Sequence, residues 1–353
     1  MESGTPFFSI CIPQYNRTSF VIEALRVLAS QSFKDFEVCI SDDCSSDGRQ
    51  SEVQRALRDL KLRHVYKQQS ENGRYDKNLR SAISLSTGRY CLLMGNDDCL
   101  ADRNALMRLH GLIAQQENIG VVITNYVSQA SGTVSRRVRA TRTLGSGPGV
   151  AARCFRNFSF VSGVILRRDR AVAHATSKWD GAEMYQMYLG SRIIGEGYDL
   201  VEFAEVIVIQ GLQIVGQTVD SYAAKPRLEP CPIEERKTPL VQLGRLVIDA
   251  IRPYDRDRMS GLAVFIFVQI LVFTYPFWIV EYRRVQSWKY AVGICLGMRP
   301  RNILETVALH QMHSLFLKAV YFTVTLAGLM MPIRLFDFLR SEFYGFAKSV
   351  SYQ

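Results

Sequence analysis

The sequence predicts an α/β fold built on a mostly parallel sheet, followed by a helical region of different character. Three observations predict it. Through the first 125 residues, short β-branched or aromatic runs alternate with helical patterns; acidic and amide residues gather where those runs end; and the carboxyl end carries long charge-free stretches. Such alternation joins parallel strands through crossover helices, and the ligands of these sheets collect at the carboxyl ends of the strands. At 353 residues the chain has room for a large domain and a smaller one. With 48% hydrophobic and 22% charged residues, disorder and coiled coil are excluded as the main state.

The elements follow in order. Period-two apolar runs predict strands at residues 7–12, 36–41, 62–67, 89–95 and 120–126. Between them, helical spacing predicts helices at 19–30, with Thr18 or Ser19 as N-cap, and at 52–60, 77–85 and 105–116. Residues 127–149 turn polar, SRRVRATR followed by LGSGPG, and read as a mobile basic loop. The GxG spacing there follows no strand and carries Pro148, which speaks against a dinucleotide fingerprint. An apolar stretch resumes at 158–166, followed by an expected helix at 183–194 and strand at 201–209. The division expected is a domain at 1–215, a Pro-, Arg- and Glu-rich connector with one helix at 216–258, and a helical, membrane-associating region at 259–353.

Residues 259–280 are 22 positions without a charge, long enough at about 1.5 Å per residue to cross a hydrocarbon core of roughly 30 Å. The run at 319–333 has 15, roughly 22 Å as a helix and short for a span. Beyond Tyr282, nine basic residues face three acidic ones. A single span with a cytosolic amino terminus would export that surplus, against the positive-inside tendency. Helices lying in the interface, cations toward anionic lipid, or packed on the α/β domain fit better, and a helical core that never meets lipid is the alternative. The balance of 43 Lys and Arg against 33 Asp and Glu, net +10, also favours phosphate-bearing ligands. Eight scattered cysteines without metal-ligand spacing suggest a reducing compartment, and the amino terminus shows no basic leader, so a cytosolic start is expected.

Strand ends carry the chemistry. CIPQYNR (11–17), ISDDCSSDG (40–48), NGRYDKN (72–78) and GRYCLLMGNDD (88–98) stand in order. Asp42 with Asp43 and Asp97 with Asp98 would crowd one edge of the sheet. Like charges there need a counter-ion, and Mg²⁺ or Mn²⁺ held through oxygen keeps open positions for substrate phosphates.

These motifs resemble the nucleotide-binding half of the inverting glycosyltransferases of family 2, which have the GT-A nucleotide-diphospho-sugar transferase fold, a Rossmann-like mixed sheet. GNDD stands where that family carries its acidic metal motif. CIPQYNR and the ISDxxSxDG spacing are similar to O-antigen transferases of the abequosyltransferase kind. The resemblance implies that Pro13 and Tyr15, with Asn16 and Arg17 in the same turn, shape the wall around the nucleoside, while Asp42 or Asp43 accepts from the base. It places Arg74, Lys77 and Asn78 over the base or diphosphate, Asp97 against ribose or donor sugar, and Asp98 on the divalent cation. Asn96 stands where many members have a third acid and offers a neutral oxygen instead.

Breaking the bond from anomeric carbon to phosphate leaves charge on the diphosphate, which a cation stabilises. The attacking hydroxyl needs a carboxylate base. The stretch KWDGAEMYQMYL offers Asp180 and Glu183, and Glu183 is preferred because it opens a helical run aimed at the same edge. Trp179 either stacks on a sugar or packs in the core. Arg136, Arg137, Arg139 and Arg142 are either solvated or able to grip an acceptor diphosphate. His310 and His313 lack a third metal ligand and read as packing residues.

The expectation is therefore a glycosyltransferase. It would move one sugar from a nucleotide-sugar donor to a glycan acceptor, lipid-diphosphate-linked, in bacterial surface polysaccharide or O-antigen synthesis. It would work at the cytoplasmic face of the inner membrane, peripheral or monotopic, with no nucleic acid partner. The QxxRW pattern of processive synthases is absent. The rivals are an inactive scaffold, opposed by the intact aspartates, and a sugar nucleotidyltransferase, opposed by the lack of a glycine- and lysine-rich triphosphate loop.

Overall fold

A computed structural model describes residues 4–217, 239–285, 288–304 and 307–339. The chain divides into two compact units, Met1–Val150 with Phe155–Asp220, and Ala151–Cys154 with Ser221–Gln353. Residues 218–238 of the expected connector, Cys231 among them, and residues 340–353 lie outside the described part.

The first unit opens with β1 (Phe8–Gln14), α1 (Thr18–Ala29), β2 (Phe36–Asp42), α2 (Gln50–Asp59), β3 (His64–Gln68), α3 (Arg74–Ser84), β4 (Tyr90–Leu93), β5 (Cys99–Leu100) and α4 (Ala105–Ile113). It continues with β6 (Ile119–Ser128), β7 (Val134–Ser135), β8 (Arg142–Gly145), α5 (Pro148–Cys154), β9 (Val164–Arg167), α6 (Arg168–Ala173), α7 (Tyr185–Glu196) and β10 (Asp199–Gln210). The sheet runs β3-β2-β1-β4-β9-β6-β10-β5, with β7 beside β6 and β8 beside β10. β3, β2, β1 and β4 are parallel, as are β6 and β10; β9 lies antiparallel between the two sets. A mixed sheet results.

Both faces are covered. Phe8, Ile10 and Ile12 alternate along β1 and pack with Val38 and Ile40 of β2 against Phe20, Val21, Leu25 and Leu28 of α1 and Leu106, Leu109 and Ile113 of α4. Each such fully buried side chain stabilises the fold by about 1.5–3 kcal/mol. α3 packs on β1 and β2 from the other face, where Gln69 Nε2 bridges Ser41 Oγ at 3.0 Å and Ser81 Oγ at 2.7 Å. Register does the rest. Gln14 pairs with Asp42, Asp42 with Gln68, and Cys11 with Leu93, so the turns after β1, β2, β3 and β4 leave the sheet at one edge.

Several expectations change. α1 begins one residue earlier, with Arg17 rather than Thr18 or Ser19 at its N-cap. α3 begins at Arg74, three residues before the expected start. Residues 127–149 are not a mobile loop: β6 runs to Ser128, and β7 and β8 join the sheet. The cause is Arg137, buried, donating to the carbonyls of Thr124 (2.8 Å), Phe160 (2.8 Å) and Ser162 (2.7 Å) and lying against the paired rings of Tyr126 and Phe160. Arg142 pairs with Glu202 at 2.7 Å. Arg137 is thus not a solvated loop charge, and Arg142 belongs to β8 and not to a loop although its side chain is exposed.

In the second unit, α8 (Pro239–Ile251), α9 (Met259–Phe273), α10 (Tyr275–Val285), α11 (Trp288–Gly297), α12 (Pro300–Leu304) and α13 (Gln311–Met330) form a helical assembly. Tyr275 Oη meets Thr325 Oγ1 at 3.0 Å, Tyr321 Oη donates to the Cys295 carbonyl at 2.6 Å, and Arg283 donates to the carbonyls of Gly328 and Met331. Residues Met259–Arg284 and Gln311–Met330 are each long and apolar enough to cross a membrane, the first 56% buried and the second 17%. The second is longer than its charge-free run, because α13 takes in Lys318 and starts at Gln311.

Gly120 shows how tightly α7 is seated on the sheet. A Cβ there would lie 2.3 Å from Tyr198 Cβ and 2.6 Å from Ile193 Cγ2. Gly120→Ala should therefore lose about 1–3 kcal/mol through overpacking, read as a lower urea midpoint. An unchanged midpoint would show that residues 193–198 yield freely.

Candidate functional site

The sequence motifs meet around Gln14, which is fully buried at the end of β1. Its carbonyl accepts Asp43 N at 2.9 Å and Asn78 Nδ2 at 2.9 Å; its Oε1 accepts Asn96 Nδ2 at 3.0 Å; its Nε2 donates to the Asn16 carbonyl. Three segments distant in sequence, at residues 43, 78 and 96, thus meet on this one buried residue.

The turn after β1 is strained. Asn16 and Arg17 both have left-handed backbones, with φ of 51° and 54°, a state that costs of order 1–3 kcal/mol per non-glycine residue. Asn16 N donates to Ser45 Oγ at 2.8 Å, Asn16 Oδ1 accepts Ser46 N at 2.8 Å, and Arg17 pairs with Asp97 at 2.7 Å. Pro13 is half-buried, while Tyr15 is lifted into solvent, 44% exposed, at the rim of the turn.

The carboxylates are handled differently. Asp42, buried, accepts Ser45 N at 2.8 Å through Oδ1 and Tyr66 Oη at 2.6 Å through Oδ2. Asp43, also buried, accepts Gly73 N at 2.8 Å, which ties β2 to the start of α3; burial pushes its carboxyl above the ordinary range. Asp97 is held by Arg17. Asp98 is buried, accepts Gly211 N at 2.8 Å through Oδ1, and is bridged by the Ser162 hydroxyl, which in turn receives Gly95 N at 2.8 Å. Burial, then the neighbouring charge of Asp97, pushes Asp98 up to about 7.

Gly95 gives a test of fit for a cation. A Cβ at this position would lie 2.9 Å from Asp98 Oδ2 and 3.3 Å from Asp97 Oδ1, so both carboxylates turn toward the same backbone face. Among the described residues no group of three His, Cys, Asp or Glu could hold a metal ion by itself. One or two carboxylate oxygens suit Mg²⁺ or Mn²⁺ when phosphates complete the coordination, and each carboxylate oxygen keeps a second lone pair. The residues fit a shared site and not a protein cage.

The remaining expected residues lie on α3 and before α7. Lys77 pairs with Glu71 at 2.8 Å, Arg74 starts α3 with a left-handed φ of 63°, and Asn78 Oδ1 is buried without a hydrogen-bond partner. Glu183 does not open a helix: α7 starts at Tyr185, and Glu183 sits in the preceding turn with φ of 58°. Asp180 is gripped by Arg80 through both oxygens. Trp179 is half-buried.

Sequence reasoning missed Gln14, Asp76, Ser162 and Gly211. Asp76, 1% exposed, accepts the main-chain N–H groups of Gly181 at 2.9 Å, Glu183 at 2.8 Å and Tyr185 at 3.0 Å. Gln14 and Asp76 lie inside the motifs and could have been flagged there. Ser162 and Gly211 carried no local signal.

Residues 9–177 match the model of Glycosyl transferase family 2. Over 208 residues, 52% of this chain, the sequence is 28% identical to abequosyltransferase RfbV of Salmonella typhimurium. Over 173 residues, 46% of the chain, it is 31% identical to amylovoran biosynthesis glycosyltransferase AmsB of Erwinia amylovora. The matched stretches cover 57% and 56% of those relatives, about half their length. The fold is similar to that of S. aureus TarS 1-349 in complex with UDP-GlcNAc, with TM-score 0.62, 15% identity and 91% of each chain covered. It is also similar to the mannosyltransferase PcManGT of Pyrobaculum calidifontis with GDP-Man and Mn²⁺, with TM-score 0.50, 14% identity, and 93% of this chain and 88% of that one covered. The α/β unit has the GT-A fold expected from the sequence.

Asp98 has a consequence for stability. Its folded pKa of about 7 lies above the ordinary aspartate value of about 3.9. The proton is therefore held longer by the folded chain than by the unfolded one. The stability this contributes is complete below the unfolded value and is lost as pH rises through the folded one. In EDTA, wild type should lose stability relative to Asp98→Asn between about pH 4 and pH 7.5, followed by thermal unfolding. A pH-independent difference would contradict it.

Proposed function

We propose, from the glycosyl transferase family 2 domain that this chain carries over residues 9–177, that the protein moves one sugar from a nucleotide-sugar donor to a glycan acceptor with inversion at the anomeric carbon. The observation that carries this reading is the convergence of the turns after β1, β2 and β4, and of α3, on buried Gln14. Tyr15 offers a ring face to a nucleobase, and Asn78, whose amide oxygen lies buried and unsatisfied, would have to turn it outward to meet a base or ribose donor. Asp43, after β2, is tied to the start of α3 through Gly73 N.

Arg74 and Lys77 lie where a diphosphate would cross the edge, with Asp97 and Asn96 toward ribose or donor sugar. Asp98, with Asp97, would hold Mg²⁺ or Mn²⁺, whose chemistry when bound is to neutralise charge on the leaving diphosphate. Glu183 is the proposed base, taking the proton of the acceptor hydroxyl as it attacks. The acceptor proposed is a lipid-diphosphate-linked glycan of a bacterial surface polysaccharide; in support, one named relative is an abequosyltransferase and the other a glycosyltransferase of amylovoran biosynthesis, and the basic, apolar carboxyl end suits a lipid-borne substrate.

The donor reading is tested by thermal shift with UDP-, GDP-, dTDP- and CDP-sugars in the presence of Mn²⁺. A ligand at a hundred times its Kd adds about 2.7 kcal/mol to the folded state. One of these donors should raise the unfolding midpoint of wild type, and Asp98→Ala should lose most of the Mn²⁺-dependent part together with donor hydrolysis. If no sugar nucleotide shifts the wild-type midpoint, the transferase reading falls.

The same reading places the enzyme at the cytoplasmic face of an anionic membrane. α13 presents an exposed apolar face at helical spacing: Met312 (73%), Leu315, Phe316, Phe322 (67%), Leu326 and Met330 (70%), with Lys318 exposed at its border. An apolar stripe flanked by a cation suits an interface of acyl chains and anionic headgroups. Full-length protein should sediment with vesicles containing phosphatidylglycerol, and Phe322→Glu with Leu326→Glu should abolish most of that binding. Wild type left in the supernatant would overturn the membrane assignment.

A further inference from the structure

The turn that carries Glu183 is held almost wholly by α3. Asp76 sits in the first turn of that helix, and its two oxygens collect the main-chain N–H groups of residues 181, 183 and 185. One turn further along, Arg80 grips Asp180 with both terminal nitrogens, donates to the Thr176 carbonyl at 2.8 Å and lies 5.7 Å over the Tyr185 ring. Tyr75 Oη donates to Gln186 Oε1 at 2.9 Å. The segment from Thr176 to Gln186 is thus fastened to consecutive turns of one helix.

The other end of the same helix start faces the donor motifs. Gly73 N donates to Asp43, and Asn78 Nδ2 donates to the Gln14 carbonyl. Residues 73 and 78 bracket Asp76 in sequence. A rigid turn of helix therefore touches the nucleotide-binding edge on one side and the Glu183 turn on the other. The left-handed φ values of Gly181 (91°) and Glu183 (58°) are what allow alternate amides to point at a single carboxylate.

We infer that Asp76 is a positioning residue: through its three main-chain hydrogen bonds it fixes the backbone of Glu183 against the donor-binding start of α3, so that the proposed base and the bound donor keep one relative placement. This rests on the transferase reading above. Asp76 itself touches neither donor nor acceptor in this account, since its carboxylate is buried and filled by amides. Its effect should appear in the chemical step and not in donor binding, because a small misplacement of a reacting group can cost roughly 10²-fold in rate. Carboxylate is required: an amide at this position presents one acceptor oxygen and turns an N–H group toward main-chain N–H donors.

The test is Asp76→Asn, studied as the full chain with Mn²⁺ and whichever sugar nucleotide stabilises wild type. The expected result is a fall in kcat of roughly 10²-fold, a donor Kd within about twofold of wild type by calorimetry, and faster amide exchange across residues 181–185. A kcat within threefold of wild type overturns the proposal, and so does a donor Kd weakened in proportion to kcat, which would mark general loosening of the cleft. Should Asp76→Asn fail to fold, Arg80→Gln releases the same segment from the exposed side and must show the same split, lower kcat with unchanged donor Kd; equal losses in both, or none, overturn the proposal. Failure of the transferase reading is told apart by wild type alone, which would then bind no donor and transfer no sugar, whereas the exchange measurement reads the clamp without any substrate.

Discussion

A buried amide side chain at the end of the central strand is the constraint on which the candidate site depends. Burying such a group without partners costs several kcal/mol, and removing a partner later strands the other group in a dry environment. The Gln14 side chain avoids this only when the turns after β1 and β4 supply the Asn16 carbonyl and the Asn96 amide, while its main-chain carbonyl ties in Asp43 N after β2 and Asn78 of α3. The strand order turns back at this point, with β2 and β3 on one side of β1 and β4 on the other. Ligands of open α/β sheets bind at such a switch. The strained backbone at Asn16 and Arg17 belongs to the same arrangement: bonds from Gln14, Ser45 and Asp97 offset its cost and leave Tyr15 facing solvent.

How much of this was legible follows from where each partner lies in the chain. β1, β2, α1 and α4 were readable because period-two and 3.6 patterns mark the face each element buries, and that face is a local property. Asp42, Asp43, Asp97 and Asp98 were readable because acids at the end of an apolar run stand out. β9 appeared only as an apolar run, since its antiparallel direction is set by the path of the returning chain. Arg137 looked like a solvated charge because the carbonyls that bury it come from residues 124, 160 and 162. Asp76 passed unremarked, since its three donors lie about a hundred residues downstream. Glu183 was placed at a helix start because nothing local marks its left-handed φ of 58°, which keeps it outside the helix.

The helical unit gives a similar lesson about length. A charge-free run measures where a helix could sit in hydrocarbon, not where its hydrogen bonds begin. Gln311 to Lys318 are competent helix formers, so α13 starts well before the run and reaches 20 residues, about 30 Å at 1.5 Å per residue. Its neighbour Met259–Arg284 is mostly covered within the unit, while α13 is largely bare. The more apolar of the two segments is thus the more covered, and the less apolar one leaves the larger bare face.

The four acids of the sheet edge are not equivalent, and the difference bears on how a cation and a donor would bind. Asp42 is satisfied by a tyrosine hydroxyl and an amide, Asp43 by an amide at α3, and Asp97 by a guanidinium. Asp98 has a hydroxyl and an amide, but burial and the charge of Asp97 leave it the one that favours a proton near neutrality. On the proposed reading, Asp98 and Asp97 would hold a hard divalent ion weakly by themselves, and more tightly once diphosphate oxygens fill the other positions. Affinity for the ion and affinity for the donor would then rise together, because a coupling between two ligands is felt equally by both. Such a site would take up its cation with the nucleotide and release it with the product.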